Sequence, residues 1–99
     1  MALHLSKRAS SDLDAIWKHL LTETHDEAVA DHQIDAITSR FYLLVDHPRI
    51  GRARDDDLGR GRRSFPVNDY VIVYRIVGAD VQILRVAHGR RDLPSLFGR

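Results

Sequence analysis

The chain has 99 residues, of which 43% are hydrophobic and 29% charged, and it contains no cysteine. These proportions are typical of an ordinary folded protein and exclude a largely disordered chain, a disulfide framework and a metal site built on thiolates. No apolar run approaches the roughly 20 residues of a membrane span and the N-terminus lacks a signal peptide's apolar centre, so we expect one cytoplasmic domain over residues 1–99 that binds no membrane.

The net charge of +1 conceals a difference between the two halves of the chain. Residues 1–48 carry four Lys or Arg against eight Asp or Glu, whereas residues 49–99 carry eleven Arg against six Asp. Arginine binds carboxylates and phosphates in a planar, bidentate geometry that lysine does not offer. The second half is therefore suited to an acidic protein surface or a nucleic acid, and its charge alone does not choose between them.

The first half predicts a short edge strand followed by two helices. The strand covers residues 2–5, and Ser6 is preferred to Ser11 as the N-cap of a helix from about residue 7 to 24. A second helix is capped by Asp26 and ends before Pro48. The apolar side chains recur at steps of three and four, which predicts two amphipathic helices in an antiparallel hairpin: Leu13, Ile16, Trp17, Leu20 and Leu21 in the first, Ala30, Ile34, Ile37, Phe41 and Leu44 in the second.

Aromatic residues at helical spacing usually belong to the core, so we expect Trp17 and Phe41 to pack inward. Some apolar residues of the second helix lie off its main face and are a candidate surface for a partner: Val29, Tyr42, Leu43 and Val45.

Residues 48–61 predict a loop, because they include three glycines and a proline. The run of three aspartates at 55–57 lies between arginines, and we interpret it as a surface whose charges neutralise each other. A metal site is not expected there, since consecutive carboxylates point in different directions.

The second half predicts three antiparallel strands and a short final helix. The strands cover residues 62–67, 70–77 and 81–88, with Pro66 at an edge or a strand end. The middle strand is apolar at nearly every position, which is typical of a strand covered on both faces. In the last strand, alternation places Val81, Ile83 and Arg85 on one face. The expected fold is a two-layer α+β domain, in which the helical hairpin covers a mainly antiparallel sheet and Leu96 and Phe97 pack from a short C-terminal helix.

No catalytic or phosphate-binding sequence motif is present, and no cofactor is expected. Five of the six histidines are scattered without metal-ligand spacing. The sharpest candidate group is embedded in and just after the last two strands: Arg75, Arg85, His88, Arg90 and Arg91. One interpretation is a cationic surface for phosphates or acidic side chains, on which His88 could act as a general base in RNA cleavage. The other is structural and is favoured for Arg75 and Arg85: these two pair with aspartates such as Asp69 or Asp92, while Arg90 and Arg91 are simply solvated.

Four segments resemble the ParE-type toxins of the RelE/ParE toxin–antitoxin superfamily. They are LSKRASSDLDAIW near the N-terminus, HPRIGRARDD after the second helix, RSFPVNDYVIVYRI in the sheet and ILRVAHGRRDLPSLF at the end. These segments follow the family's order and span nearly the whole chain.

The resemblance implies a toxin that poisons DNA gyrase, meets nucleic acid only through its partners, and is held inactive by a ParD-like antitoxin, a ribbon-helix-helix protein with an acidic tail. It implies antitoxin contacts on the hairpin and the sheet, for which the candidates are Trp17, Phe41, Leu44, Arg62, Arg63, Arg75 and Arg85. Candidates for the gyrase contact are His88, Arg90, Arg91, Leu96 and Phe97. No catalytic residue is expected in this function.

The alternative is a RelE-like endoribonuclease that cuts messenger RNA on the ribosome. That branch commonly has a tyrosine in its final segment, whereas this chain ends with DLPSLFGR and its tyrosines lie elsewhere. The residues that could still carry the reaction are Arg63, Arg85 and His88.

Overall fold

A computed structural model describes residues 2–98 as a helical hairpin packed on one face of a five-stranded sheet. The predicted α+β class is confirmed. The elements in chain order are β1 (Leu3–Leu5), α1 (Lys7–Thr24), α2 (Glu27–Asp46), β2 (Arg52–Ala53), β3 (Arg62–Val67), β4 (Tyr70–Val77), β5 (Asp80–His88) and a C-terminal 3-10 helix (Pro94–Phe97).

Both predicted N-caps are confirmed. The Ser6 hydroxyl accepts a hydrogen bond from the amide of Ala9 at 3.0 Å and donates one to the carbonyl of Leu84 at 2.7 Å, so it also joins α1 to β5. The Asp26 carboxylate accepts from the amide of Ala28 at 3.0 Å and starts α2. Each cap satisfies an amide that the first helical turn leaves without a partner.

The strand order is β1-β5-β4-β3-β2, with β1 parallel to β5 and every other pair antiparallel. β4 is therefore the central strand and β1 an edge strand, both as predicted. β2 lies inside the segment predicted to be loop, where Arg52 pairs with Ser64 and Ala53 with Arg63. Two residues are too few to produce a strand pattern in the sequence. β2 covers only Arg63 and Ser64 of β3. Pro66 therefore lies at the open edge of β3, where its missing amide proton costs no ladder bond.

A β-bulge makes the predicted alternation of β5 wrong beyond Ile83. Val73 pairs with Arg85 and Tyr74 with Ile83, so Leu84 is an extra residue on β5. The extra residue shifts the phase of the strand. Val86, expected opposite Val81 and Ile83, instead joins them in the core and is 2% exposed.

Apolar side chains fill two layers, one on each face of the sheet. The core lies between the helices and the sheet and contains, among others, Ile16, Ile37, Phe41, Leu44, Ile72, Tyr74, Ile83 and Val86. The opposite, outer face carries a smaller cluster of Leu58, Val73, Ala87 and Leu93, against which Leu96 and Phe97 pack. This outer cluster explains why β4 reads as apolar on both faces. Across residues 2–98, no helix combines the length and apolarity that crossing a membrane requires.

Candidate functional site

Arg85 is held by an ion pair with α1, not by either aspartate that the sequence suggested. Its Nε and Nη2 donate to the two carboxylate oxygens of Asp12 at 2.9 and 3.0 Å, and the amide of Val86 donates to the same carboxylate at 2.9 Å. Both side chains are about 15% exposed or less. The hydrogen bond with Asp12 raises the pKa of Arg85. The predicted pairing of Arg85 with an aspartate is confirmed, but the partner is Asp12 and neither of the two examples named from the sequence, Asp69 and Asp92.

Arg63 is also committed to the fold. Its Nη1 donates to the carbonyl of Gly51 at 2.7 Å, on the chain between α2 and β2. Tyr74 holds the same segment between α2 and β2. Its hydroxyl accepts a hydrogen bond from the amide of Gly51 at 2.9 Å and donates one to the carbonyl of Pro48 at 2.7 Å. Tyr74 is fully buried, and burial raises the pKa of its phenol. Arg63 and Tyr74 together fix the path of the loop.

Arg62 and Arg75 lie opposite each other on the outer face of the sheet. They are cross-strand partners, and the register continues from Arg75 to Gln82 and from Gln82 to His4. We call these four residues the arginine row. Neighbouring strands are roughly 4.8 Å apart, so the row extends about 15 Å across the sheet.

The two arginines of the row make different contacts. Arg62 stacks on Phe97, with 4.3 Å between its guanidinium carbon and the ring centroid, and its Nη1 donates to the carbonyl of Leu58 at 2.6 Å. Arg75 is exposed, and its Nε donates to Gln82 at 2.7 Å. Within residues 2–98 it forms no ion pair, so the predicted pairing of Arg75 with an aspartate was wrong. Like charges directly opposite in a sheet repel each other, and an anion bound between them would relieve that repulsion.

A surface cleft of about 410 Å³ lies between α1, the start of β4 and the end of β5. We call it the α1–sheet cleft. Its floor is formed by Ile16 and Val86, Ala87 lines it at the end of β5, and polar side chains surround it: Asp12, His19, Tyr70, His88 and Arg91. The cleft is where two of the predicted gyrase-contact residues, His88 and Arg91, meet the helical layer.

His88 has a fixed orientation at this cleft. Its Nδ1 accepts a hydrogen bond from the amide of Arg90 at 3.1 Å, and its ring meets that of Tyr70 edge to face, with 5.5 Å between centroids. A neutral imidazole whose Nδ1 accepts carries its proton on Nε2, so Nε2 is the free donor.

The helical hairpin offers less surface than the antitoxin candidates require. Phe41 and Leu44 are 1% and 0% exposed, so in this structure neither can contact a partner. Phe41 therefore belongs to the core, as its helical spacing predicted. Trp17 is half-buried, and its Nε1 donates to Asp31 at 2.8 Å across the hairpin. Of the four predicted outlying residues, Val29 and Tyr42 are exposed, at 43% and 66%.

The residues of the nuclease hypothesis are not brought together. Arg63 lines a separate cleft of about 360 Å³ with Arg49, Asp55 and Arg62, whereas His88 lines the α1–sheet cleft. Arg85 is occupied by Asp12. The cleft that Arg63 lines does not include His88, and no group of His, Asp or Glu within residues 2–98 has the geometry of a metal site.

Sequence reasoning did not find Asp12 or His19. A signal for Asp12 existed: Ala9, Asp12 and Ile16 are spaced at three and four, which places the carboxylate on the buried face of α1. His19 follows Asp12 by seven residues and so lies near that face, but nothing in the sequence shows which strand end lies opposite.

Comparison with known proteins gives three consistent results. The family described as "ParE toxin of type II toxin-antitoxin system, parDE" matches residues 3–93. "Toxin ParE3" of Caulobacter vibrioides is 37% identical over 94 residues, which are 95% of this chain and 92% of that protein. "Toxin RelE3" of the same organism is 32% identical over 87 residues, or 88% and 92% of the two chains. A solved chain of the "Chromosomal ParDE TA system from P. aeruginosa" has a TM-score of 0.77 at 24% identity, covers 89% of this chain and 95% of its own, and shares the fold.

Proposed function

This chain belongs to the ParE toxin family of type II toxin–antitoxin systems, and on that basis we propose that it poisons DNA gyrase and is neutralised by a ParD-like antitoxin. A toxin that does not cleave RNA is favoured because two arginines of the nuclease hypothesis have structural roles. Arg63 and Arg85 both hold the fold together, through Gly51 and Asp12. Arg85 is occupied by Asp12 and Arg63 lines a different cleft from His88, so neither is placed to stabilise a phosphorane beside His88.

A test inside cells separates gyrase poisoning from RNA cleavage. The chain is induced without its antitoxin, and the superhelicity of a reporter plasmid is followed beside the 5′ ends of abundant messages. We expect the plasmid to relax while the messages keep their native ends. New cleavage ends that precede any change in superhelicity would contradict the proposal.

The alternative function is ribosome-dependent RNA cleavage, and the 32% identity to Toxin RelE3 is the observation in its favour. It requires His88 and the two arginines to act on one phosphate. In this alternative, His88→Ala would abolish new message ends, with the fold intact by circular dichroism.

The antitoxin's acidic tail is proposed to bind the arginine row. The row presents two guanidinium groups on adjacent strands, and the side chain of Arg75 is exposed. A carboxylate between Arg62 and Arg75 would accept charge-assisted hydrogen bonds and remove their mutual repulsion. Of the four arginines expected to meet the antitoxin, this proposal uses Arg62 and Arg75, which lie side by side on the outer face, and not Arg85, which is paired with Asp12.

Substitution within the row tests this placement. Arg75→Glu should weaken antitoxin binding by about tenfold or more, because a favourable charge pair becomes a repulsive one. Arg60→Glu makes the same charge change in an exposed loop outside the row and should have a smaller effect. Equal losses in the two variants would show that only the overall charge matters.

A further inference from the structure

The α1–sheet cleft has an apolar floor that remains open to a partner side chain. Its floor residues Ile16 and Val86 are 9% and 2% exposed, because both also pack into the core beneath the cleft. Ala15 stands at its border as an exposed residue of α1. About 410 Å³ is enough to admit a large apolar side chain from another protein.

The rim of the cleft carries an excess of positive charge. Arg91, His19 and His88 line it together with one carboxylate among the described residues, that of Asp12. The charge of Asp12 is balanced by Arg85, whose Nε and Nη2 donate to the two carboxylate oxygens. Arg91 forms no ion pair within the described range 2–98, so the unpaired charge at the cleft is that of Arg91, supplemented by the Nε2 donor of His88.

An apolar floor beside a cationic rim fits one kind of occupant. We infer that the α1–sheet cleft binds the toxin's protein target through an acidic segment that inserts one apolar side chain and places a carboxylate near Arg91. This inference deepens the proposed function and rests on it for the identity of the target, gyrase.

The position of the cleft favours the target over the antitoxin's tail as its occupant. Arg62 contacts Leu58 and Phe97 of the outer cluster, so the arginine row lies on the outer face of the sheet. The cleft lies on the helical side, against α1. A tail on the outer face would leave the cleft unfilled, and substitutions in the cleft should therefore separate the two interactions.

Two variants of the cleft and two matched controls provide the test. Ala15→Phe fills the cleft from its border, and Arg91→Glu reverses the charge of its rim. Two controls make the same substitutions outside the cleft. Ala28→Phe adds a phenylalanine at an exposed position of α2, and Arg60→Glu reverses a charge in an exposed loop. Urea midpoints equal to that of the wild-type protein establish that all four variants fold.

The full-length variants are compared in gyrase supercoiling, in antitoxin binding and in growth arrest on induction. Ala15→Phe and Arg91→Glu should weaken gyrase inhibition by roughly tenfold or more and change antitoxin affinity by less than about threefold, whereas both controls should inhibit gyrase as the wild type does. Cleft variants that inhibit as strongly as their controls would overturn the inference, as would an equal loss of antitoxin binding.

Growth arrest distinguishes failure of this inference from failure of the proposed function. If the wild type leaves gyrase unaffected but stops growth, and the cleft variants alone abolish the arrest, the cleft binds a different target and the gyrase assignment is wrong. If all five proteins arrest growth equally, the cleft assignment is wrong. A wild type that affects neither gyrase nor growth overturns both.

Discussion

Removal of the Asp12 carboxylate should destabilise the fold, because three hydrogen bonds converge on it. In Asp12→Ala, the Arg85 guanidinium and the Val86 amide both lose their partner in a site where the arginine and aspartate side chains are 14% and 15% exposed. Breaking a fully buried ion pair costs roughly 3–5 kcal/mol, and partial access to water reduces that cost. We expect about 3 kcal/mol of lost unfolding free energy, including the unpaired amide.

Urea unfolding measures this change, with Asp14→Ala as the matched control on the same helix. Asp14 is exposed, so its substitution should alter the unfolding free energy by no more than about 0.5 kcal/mol. A double-mutant cycle with Arg85→Met should give a coupling above roughly 1 kcal/mol, because the two side chains are in direct contact.

A loss below about 1 kcal/mol in Asp12→Ala would show that the Asp12–Arg85 pair does not hold the fold together. Arg85 would then have no structural role and would again be a candidate catalytic arginine. A loss near 3 kcal/mol without coupling to Arg85 would assign the cost to the Val86 amide alone.

Two further predictions concern the segment between α2 and β3. Tyr74→Phe removes the hydroxyl that bonds Gly51 and Pro48 and should cost about 1–3 kcal/mol in urea unfolding, since a buried amide and carbonyl lose their partner; no measurable loss would show that these two hydrogen bonds do not stabilise the fold. The hydrogen bond from Arg54 lowers the pKa of Asp57. A carboxylate whose pKa is lowered by folding stabilises the folded state at pH values above its pKa in the unfolded chain, about 3.9. This contribution disappears as the pH falls through the pKa that the carboxylate has in the folded state. The stability difference between wild type and Asp57→Asn should therefore be constant above about pH 5 and shrink below pH 4; a difference that is independent of pH would exclude this ion pair as its source.

Local sequence rules predicted the elements well and the contacts between them less well. The caps at Ser6 and Asp26 and both helix boundaries follow from neighbouring residues, and the structure confirms them. The bulge at Leu84 depends on β4 and β5 pairing around an extra residue, for which the alternating sequence gives no sign. The short strand β2 exists only because β3 supplies its ladder partners.

The candidate site shows the same division. Arginines in the strands were recognised as groups that require partners, but the partner of Arg85 lies 73 positions away on α1 and that of Arg75 is an amide. Phe41 matched both a core stripe and a partner surface, and its burial decides for the core. Tertiary packing, not residue type, settles each of these choices.

Gyrase supercoiling in a purified system tests the central claim most directly. A relaxed plasmid, gyrase and ATP are titrated with the wild-type chain, and the ParD-like antitoxin is then added to the inhibited reaction. We predict dose-dependent loss of supercoiling and its restoration by a stoichiometric amount of antitoxin. Full supercoiling at every concentration of a folded chain that still arrests growth would contradict the account.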